Sequence, residues 1–584
     1  MPEYTTQPIL QIQPRRLVQR LPGYGAPDEG RYRKTRLDFN ENTEGLVSLI
    51  PAEIPRERVL AYPEYGSAIQ ALADFYEVSV EQILLTNGSD EALAVIAQTF
   101  IEPGEETAII SKPTFAMIPH YLTLAGANLI EIPVLETLEF DLEGLEAALN
   151  QGAKLLMLAS PDNPTGALIS YPQLKTWCAR FPETLFVLDE AYVEYIENVE
   201  DSVISLLSTC PNLLITRTFS KAWGMAGLRL GVVLGHPQLI AWLAKVRSPY
   251  SVNALAVHWM EQALSQSNDV FKQVRAAMER KRLLIQEIQD RGFLTHSGSA
   301  HFFLLKAGFD AFDLCQFAEE HGVLIRNRSK SRWPEPNQTL ASLWGTIRVN
   351  TGTEAENQQL LSVLKTFNEQ TGVLFDLDDT LVDTSKSFDQ TVETLIQQYS
   401  DQPLKPGELT ALRQQGGFND DWDATVYLLS QRGVRIPREE IAQVGTEIYL
   451  SLAPQNETLL CQVDWFSELA KRYRLFIVTG RYRQEYDAIW AERLNPYFTR
   501  VICRDDYSDA QPKPAPDLLN IVKSHFGLQR GYYIGNSVDD MKAAVSAGLM
   551  AIGVTHTQSP EALNKAGARY LVSNVDELKK GFLI

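Results

Sequence analysis

Cysteine is scarce: five residues in 584, Cys178, Cys210, Cys315, Cys461 and Cys503, scattered with neither a paired metal spacing nor a redox dipeptide. That excludes a disulfide framework, which needs clustered cysteines in a short secreted chain, and the thiols read as buried and reduced. Positive charge is in deficit too. With 53 Lys and Arg against 73 Asp and Glu the formal net charge is -20, which argues against a nucleic-acid partner because phosphate backbones select basic surfaces. No apolar run approaches a membrane span, and the opening stretch MPEYTTQPILQIQPRR has no apolar core of signal-peptide type. The expectation is a cytoplasmic protein without a membrane partner. Internal repeats and low-complexity tracts are also missing. What is present is ordinary for a soluble globular chain, 45% hydrophobic and 22% charged residues, and the length is too great for a single core, so two or more domains are expected.

Over residues 37–363 short apolar runs alternate with longer helical patterns. LLMLAS (155–160), LFVLDE (185–190) and NLLITRT (212–218) are examples. They predict an α/β domain with a mostly parallel sheet covered on both faces. Helical patterning over 354–367 then meets a polar connector at 368–372, and the strand VLFDLD follows. The reading is a first domain over 1–367, a linker over 368–372 and a second domain over 373–584. Residues from about 386 to 470 read as mainly helical, with turn signals at Pro403, Pro406, Gly416-Gly417 and Pro437. Strands LFIVTG (475–480) and GYYIGN (531–536) come after them, so the second domain is an α/β core with a helical insert.

The stretch TFSKAWGMAGLRLG (218–231) sets Lys221 at the end of a predicted strand, beside Thr218 and Ser220 and eight residues before Arg229. Hydroxyls and a guanidinium so placed can hold a phosphate dianion. Asp189 ends the strand LFVLD, where an α/β sheet presents ligand-binding groups; Tyr192 follows it, and Asn163 lies in SPDNPTG. Gly88-Ser89-Asp90 opens an apolar helix after ILLTN, and free amides at a helix N-terminus suit a phosphate. Phe115, in KPTF, offers a ring for stacking. Alone, each has a bland alternative: a solvated Ser-Lys loop, a helix start, a turn, a core Phe. Together they supply what pyridoxal phosphate chemistry needs, namely a Schiff-base lysine, an acid for the pyridine nitrogen, a phosphate anchor and a ring support.

Residues 17–367 resemble the fold-type-I aminotransferases, most closely the histidinol-phosphate aminotransferase family. The segments that carry the likeness are LDFNENTEG (37–45), AYPEYG (61–66), TNGSDEAL, SPDNPTG, LDEAYVEY and RTFSKAWGMAGLRLG. The resemblance implies a mostly parallel sheet plus a small C-terminal subdomain. It implies Lys221 as the Schiff-base and proton-shuttling residue, Asp189 at the pyridine nitrogen, and Asn163 and Tyr192 at the ring oxygen. Ser89, Asp90, Thr218, Ser220 and Arg229 would surround the phosphate. A tyrosine matching Tyr62 crosses a dimer interface in that family, so a homodimer is implied. Arg348 matches the family's anion-binding arginine and Arg326 a second one, while Tyr24, Asn40 and Tyr250 fall near the substrate pocket. Three departures leave the amino donor and acceptor open. The family's Asn-Glu-Asn-Pro reads Asn40-Glu41-Asn42-Thr43, His301 replaces a usual asparagine, and the long basic segment 327–344 reads as a solvated loop in preference to a specificity loop.

The stretch VLFDLDDTLVDTS (373–385) carries a second chemistry. Alternate strand residues face one side, so Asp376 and Asp378 point together. One carboxylate can attack phosphorus while the other protonates the leaving oxygen and then activates water. Candidates to stabilise the phosphoryl charge are Thr479 with Gly480 after LFIVT, Lys513 in QPKPAPD, and the pair Asp539-Asp540. Magnesium, a hard cation, would take oxygens from Asp376, the backbone of Asp378 and that pair. The bland alternative for DLDDT alone is a strand-end turn.

Residues 371–584 resemble the haloacid-dehalogenase-type phosphatases, a Rossmann-like core with a helical cap between the first and second motifs. Where that superfamily often has Gly-Asp, this chain has Gly535-Asn536, a neutral metal ligand that leaves more of the load to Asp539 or Asp540. In the cap, GGFNDDW (416–422) is either a specificity loop over the site or a helix–helix turn with Trp422 buried. The leading expectation is a bifunctional enzyme acting on small molecules. It would transaminate between histidinol phosphate with 2-oxoglutarate and imidazole-acetol phosphate with glutamate, and it would hydrolyse a phosphomonoester, for which histidinol phosphate would make the steps consecutive. The alternatives are an aminotransferase for another aromatic or phosphorylated amino compound, and a second domain that only binds or regulates.

Overall fold

A computed structural model describes residues 15–21, 29–45, 54–197, 202–334, 343–414, 418 and 420–583; Tyr24 lies outside them. The first domain is built on seven strands: β1 (Ile83–Thr86), β2 (Thr107–Lys112), β3 (Asn128–Pro133), β4 (Leu155–Ala159), β5 (Leu185–Asp189), β6 (Leu213–Thr218) and β7 (Gly231–Gly235). Their spatial order is β1-β7-β6-β5-β4-β2-β3, parallel throughout except β7, which runs antiparallel to β1 and β6. The apolar runs are buried on both faces. Leu156, Leu158, Phe186 and Leu188 pack into one core layer, and Leu155, Met157, Leu185 and Val187 into the opposite one, as period-two alternation in a doubly covered sheet requires. Several polar groups of the first candidate site therefore emerge at strand ends, the 160s after β4, Asp189 to Tyr192 from β5 and Thr218 to Lys221 from β6.

A smaller subdomain holds β8 (Leu294–His296), β9 (Phe302–Lys306), β10 (Arg326–Asn327) and β11 (Thr346–Asn350), antiparallel in the order β10-β11-β9-β8. Helix α1 (Gly88–Phe100) belongs to the large sheet, and α2 (Ser267–Asp290) and α3 (Glu354–Glu369) to the subdomain. Thr353 and Glu356 close a capping box at the start of α3.

The connector expected at 368–372 shrinks to Gln370. Asn368 and Glu369 finish α3, and Thr371 and Gly372 already belong to β12 (Thr371–Phe375). The joint is pinned: the Gln370 carbonyl accepts from the Gln529 and Arg530 amides at 2.9 and 3.2 Å. Beyond it β12, β13 (Arg474–Val478), β14 (Arg500–Ile502), β15 (Arg530–Gly535), β16 (Met550–Val554) and β17 (Tyr570–Val572) form a parallel sheet in the order β14-β13-β12-β15-β16-β17. Four helices make the cap: α4 (Phe388–Tyr399), α5 (Glu408–Gln414), α6 (Asp421–Gln431) and α7 (Arg438–Asn456). The cap is shorter than the expected 386–470. Helix α8 (Asp464–Leu469) belongs to the core instead, because Trp465, Phe466 and Leu469 pack with Phe375 and Leu475. Helices α9 (Arg483–Ile489) and α10 (Val538–Ser546) follow β13 and β15.

The two domains are packed together. Phe309 of the subdomain sits among Tyr532, Tyr570 and Phe582 of the second domain, and a Cβ on Gly308 would strike the Gly581 carbonyl. Asp310, 1% exposed, accepts from the Tyr473 hydroxyl at 2.5 Å and the Tyr532 hydroxyl at 2.6 Å, and pairs with Arg472. Arg472 also donates to the Ala307 carbonyl at 3.0 Å and lies 4.3 Å over the Phe293 ring. The segment 327–344 corrects the expectation of a solvated loop where it is described. Trp333 stacks on Tyr570 at 5.4 Å, Trp344 packs on Phe309, and Arg332 grips Asp313 at 2.7 and 2.8 Å. The apolar area of two tryptophans wins over Arg328, Lys330 and Arg332, the basic residues that precede Trp333. No helix among the described residues is long and apolar enough to cross a membrane.

Candidate active sites

At the first site the Lys221 ammonium donates to the Phe39 carbonyl at 3.0 Å and lies 5.7 Å from the centre of the Tyr192 ring. Burial, reinforced by Arg348, pushes it down to about 8. Asp189 accepts from Thr216 Oγ1 at 2.8 Å, and burial pushes it up to about 7. The Tyr192 hydroxyl accepts from Asn40 Nδ2 at 2.9 Å and Asn163 Nδ2 at 3.3 Å. Burial raises the phenol to about 12. Arg348 donates to Asn163 Oδ1 at 2.5 Å and to the Asp38 carbonyl, while its buried Nε and the buried Asn40 Oδ1 have no hydrogen-bond partner among the described residues. A buried guanidinium held by neutral oxygens is a standing invitation to an anion.

Beside the lysine is an anion cup. Thr218 Oγ1 lies 2.9 Å from Ser220 Oγ, to which Arg229 Nη1 donates at 3.3 Å. Arg229 Nη2 pairs with Asp90 at 3.0 Å, so the carboxylate orients the guanidinium. Gly88 has φ +76°, and a Cβ there would lie 2.6 Å from Arg229 Nη2. The site thus needs glycine both for its backbone and for the space. Phe115 packs half-buried on the cluster containing Ile110 and Ile118. Arg326 lies 5.4 Å over the ring of Phe39, the residue whose carbonyl receives Lys221. Tyr62 is 78% exposed and stacks on Tyr250 at 4.7 Å. His301 is buried, stacked 4.2 Å from Tyr195 and held neutral by burial. Thr216 was not singled out from sequence, although its position two residues before Thr218 places it on the same strand face.

At the second site Lys513 Nζ bridges Asp376 at 2.6 Å, Asp540 at 2.7 Å and the Tyr533 hydroxyl at 2.9 Å. Asp378 accepts from Arg481 Nε at 2.5 Å and from Thr479 Oγ1 at 3.3 Å. Arg481 is in turn held by Glu457 at 2.9 and 3.0 Å and by Tyr449. Burial drives both Asp376 and Asp378 upward, against the pull of Lys513 and Arg481. Neither Arg481 nor Glu457 was foreseen, though Arg481 lies two residues after Thr479. Asp540 also caps its own helix, accepting from the Ser537 amide at 3.0 Å and hydroxyl at 2.7 Å. Both its oxygens are engaged, which makes it an anchor for Lys513 rather than the open metal ligand expected. Asn536 Oδ1 accepts from Thr380 at 3.2 Å and its Nδ2 donates to Thr557 at 2.8 Å. No cage of three His, Cys, Asp or Glu occurs among the described residues. The donors are the buried Asp376 carboxylate at the end of β12 and the Asn536 amide oxygen at the end of β15, a hard set that fits magnesium, which keeps several waters and takes one or two carboxylates.

A cavity of about 300 Å³ separates this core from the cap. Asp420, Asp421 and Trp422 of the 416–422 segment line it, while Trp422 is also buried against Phe388 and Gly445. Each of the two readings of that segment holds for part of it; residues 415–417 and 419 lie outside the described ones. Arg504 of the core and Arg438 of the cap both clasp Asp420.

A doubly covered parallel sheet presenting a buried lysine, an acid and an anion cup, welded to a parallel sheet presenting two strand-end aspartates under a helical cap, defines a transferase joined to a hydrolase. The chain belongs to the family of aminotransferases of class I and II, whose model matches residues 37–364, and a haloacid dehalogenase-like hydrolase domain matches residues 373–554. It is similar to the histidinol-phosphate aminotransferase of Symbiobacterium thermophilum, 33% identical over 361 residues, 60% of this chain and 96% of the relative. The enzyme of that name from Cytophaga hutchinsonii is 31% identical over 338 residues, 57% of this chain and 90% of the relative. Among solved structures, the histidinol-phosphate aminotransferase of Sinorhizobium meliloti in complex with pyridoxal-5'-phosphate is 25% identical, with a TM-score of 0.54 over 62% of this chain and 100% of that one.

Proposed function

We propose that the first domain transfers an amino group between histidinol phosphate and 2-oxoglutarate, giving imidazole-acetol phosphate and glutamate, and that the second removes phosphate from a phosphomonoester, histidinol phosphate being the leading candidate. The observation that carries the first half is a buried lysine held near 8 beside a buried acid and an anion cup. Pyridoxal phosphate fits this cup and, when bound, supplies the electron sink for charge developing at the substrate carbon. Lys221 takes a proton from that carbon and returns it. Asp189 would serve the pyridine nitrogen, Asn163 and Tyr192 the ring oxygen, and Phe115 the ring. Thr218, Ser220, Arg229 and the amides of Gly88 and Ser89 would hold the phosphate. Arg348, with Arg326, receives the substrate's anionic group, and Asn40 holds Tyr192 in place. Tyr62, exposed beside Tyr250, serves the neighbouring subunit of a homodimer.

In the second domain Asp376 attacks phosphorus; an Asp–O–P bond forms as the ester P–O bond breaks. Asp378, whose hold on a proton burial strengthens against the pull of Arg481, gives its proton to the leaving oxygen. It then takes a proton from the water that cleaves the aspartyl phosphate. Lys513 and Thr479 balance charge on the phosphoryl oxygens. Asp376, the Asp378 backbone and Asn536 would hold magnesium, which would add neutralising charge there. The test is a phosphomonoester panel on the full chain with magnesium. Histidinol phosphate is expected to release phosphate faster than phosphoglycolate or sugar phosphates, and the reverse order refutes the pathway link. Asn536, a neutral ligand, favours the alternative of a non-catalytic second domain. Magnesium-dependent release that disappears in Asp376→Asn excludes it.

A further inference from the structure

The cavity between the second domain's core and cap is lined by eight carboxylates against three basic side chains. Most of the acids are matched. Asp376 pairs with Lys513, Asp378 with Arg481, Asp389 and Asp421 share Arg413, and Asp420 lies between Arg438 and Arg504. Glu485 is not matched in this way. It stands on α9, two residues after Arg483, and is 2% exposed. One oxygen accepts the Tyr482 amide at 3.2 Å. The other, Oε1, is buried with no hydrogen-bond partner among the described residues. Arg481 is close enough to attract Glu485, yet the hydrogen bonds of its guanidinium go to Asp378, Glu457 and Tyr449. Asp378 and Asp421 repel it.

A buried carboxylate oxygen without a donor is costly unless a ligand supplies one. An acidic wall also opposes a phosphate dianion, so a phosphomonoester that carries its own positive charge enters on better terms than a neutral or acidic one. We propose that Glu485, with Asp421 of the cap facing the same cavity, seats the cationic group of the substrate, so that the second site selects phosphomonoesters bearing an ammonium or imidazolium. This rests on the phosphatase reading of the domain and adds to it the class of ester accepted.

The test compares two esters of equal length on the full chain with magnesium, 2-aminoethyl phosphate and 2-hydroxyethyl phosphate. The amine is expected to win by tenfold or more in kcat/KM. E485Q cuts that preference at least fivefold, through KM rather than kcat, and E485D restores part of it. Equal use of the two esters, or a preference untouched in E485Q, overturns the proposal. If E485Q does not fold, D421N is measured in its place and must lower the same preference. If neither ester is hydrolysed, the cation seat is judged by calorimetric titration of 2-aminoethyl phosphate into D376N and D376N/E485Q, while the phosphatase reading stands or falls on the wider ester panel. The aminotransferase site contributes equally to both proteins. A fivefold loss of affinity in the double variant supports the seat, and equal affinity overturns it.

Discussion

Asp310→Asn removes the charge that ties the two domains together. The side chain keeps its size and one oxygen for one of the two tyrosine hydroxyls; the other, which used the second oxygen, must turn to accept from the new amide, and Arg472, 3% exposed, loses its counter-charge. Removing one partner of a buried pair costs about 3–5 kcal/mol, because the other charge stays buried and uncompensated. Replacing both partners by apolar groups of similar volume is often neutral or stabilising. Asp310→Asn with Arg472→Met, which leaves an acceptor beside the tyrosine hydroxyls and removes the orphaned charge, should therefore cost less than Asp310→Asn alone, a sign that only a coupled pair gives. Denaturant unfolding followed by tryptophan fluorescence suits the question, since Trp333 and Trp344 lie at this contact. Neither residue touches either candidate site, so both activities persist in folded protein. A cost below about 1 kcal/mol for Asp310→Asn, or a double variant as poor as the sum of its parts, refutes the account.

Three further outcomes follow from the sites. Lys221→Ala should lower transamination by more than about 10³-fold and leave phosphate release intact, as separate assays of the same preparation will show. In the cofactor-free protein Asp189 keeps its proton up to about 7, whereas the unfolded chain loses it near 4. Between those values the folded state binds the extra proton, so stability falls as pH rises from about 4 to 7, by ~4 kcal/mol at most. Asp189→Asn should flatten that slope in denaturant titrations, and an unchanged slope refutes the assignment. Lys513→Met should cost about 10²–10³-fold in phosphate release, because the amine at 2.6 Å from Asp376 balances charge on the phosphoryl group; steady-state phosphate assays decide it.

The strands were readable because burial on both faces writes continuous apolar runs, and β4, β5 and β6 stand where those runs lie. The polar residues after them were readable for the same reason, since parallel strands deliver their ends to one edge of the sheet. Arg481 and Glu457 were not. Their meaning depends on a pairing across 24 residues that brings the end of the cap helix under the core. The 327–344 segment was misread because its basic residues dominate the local pattern, while the surface that claims Trp333 lies more than two hundred residues away at Tyr570. Nor could Asp540 be recognised as saturated, since the hydroxyl of Tyr533 and the amine of Lys513 reach it only in three dimensions.

Gln370 has a consequence for traffic between the two enzymes. With helix ending at Glu369 and strand beginning at Thr371, there is no tether whose length could set a local concentration, and nothing that can carry a bound metabolite on a swinging arm. Whatever leaves the first domain for the second does so without help from the connector, and joining the two domains fixes their stoichiometry at one to one.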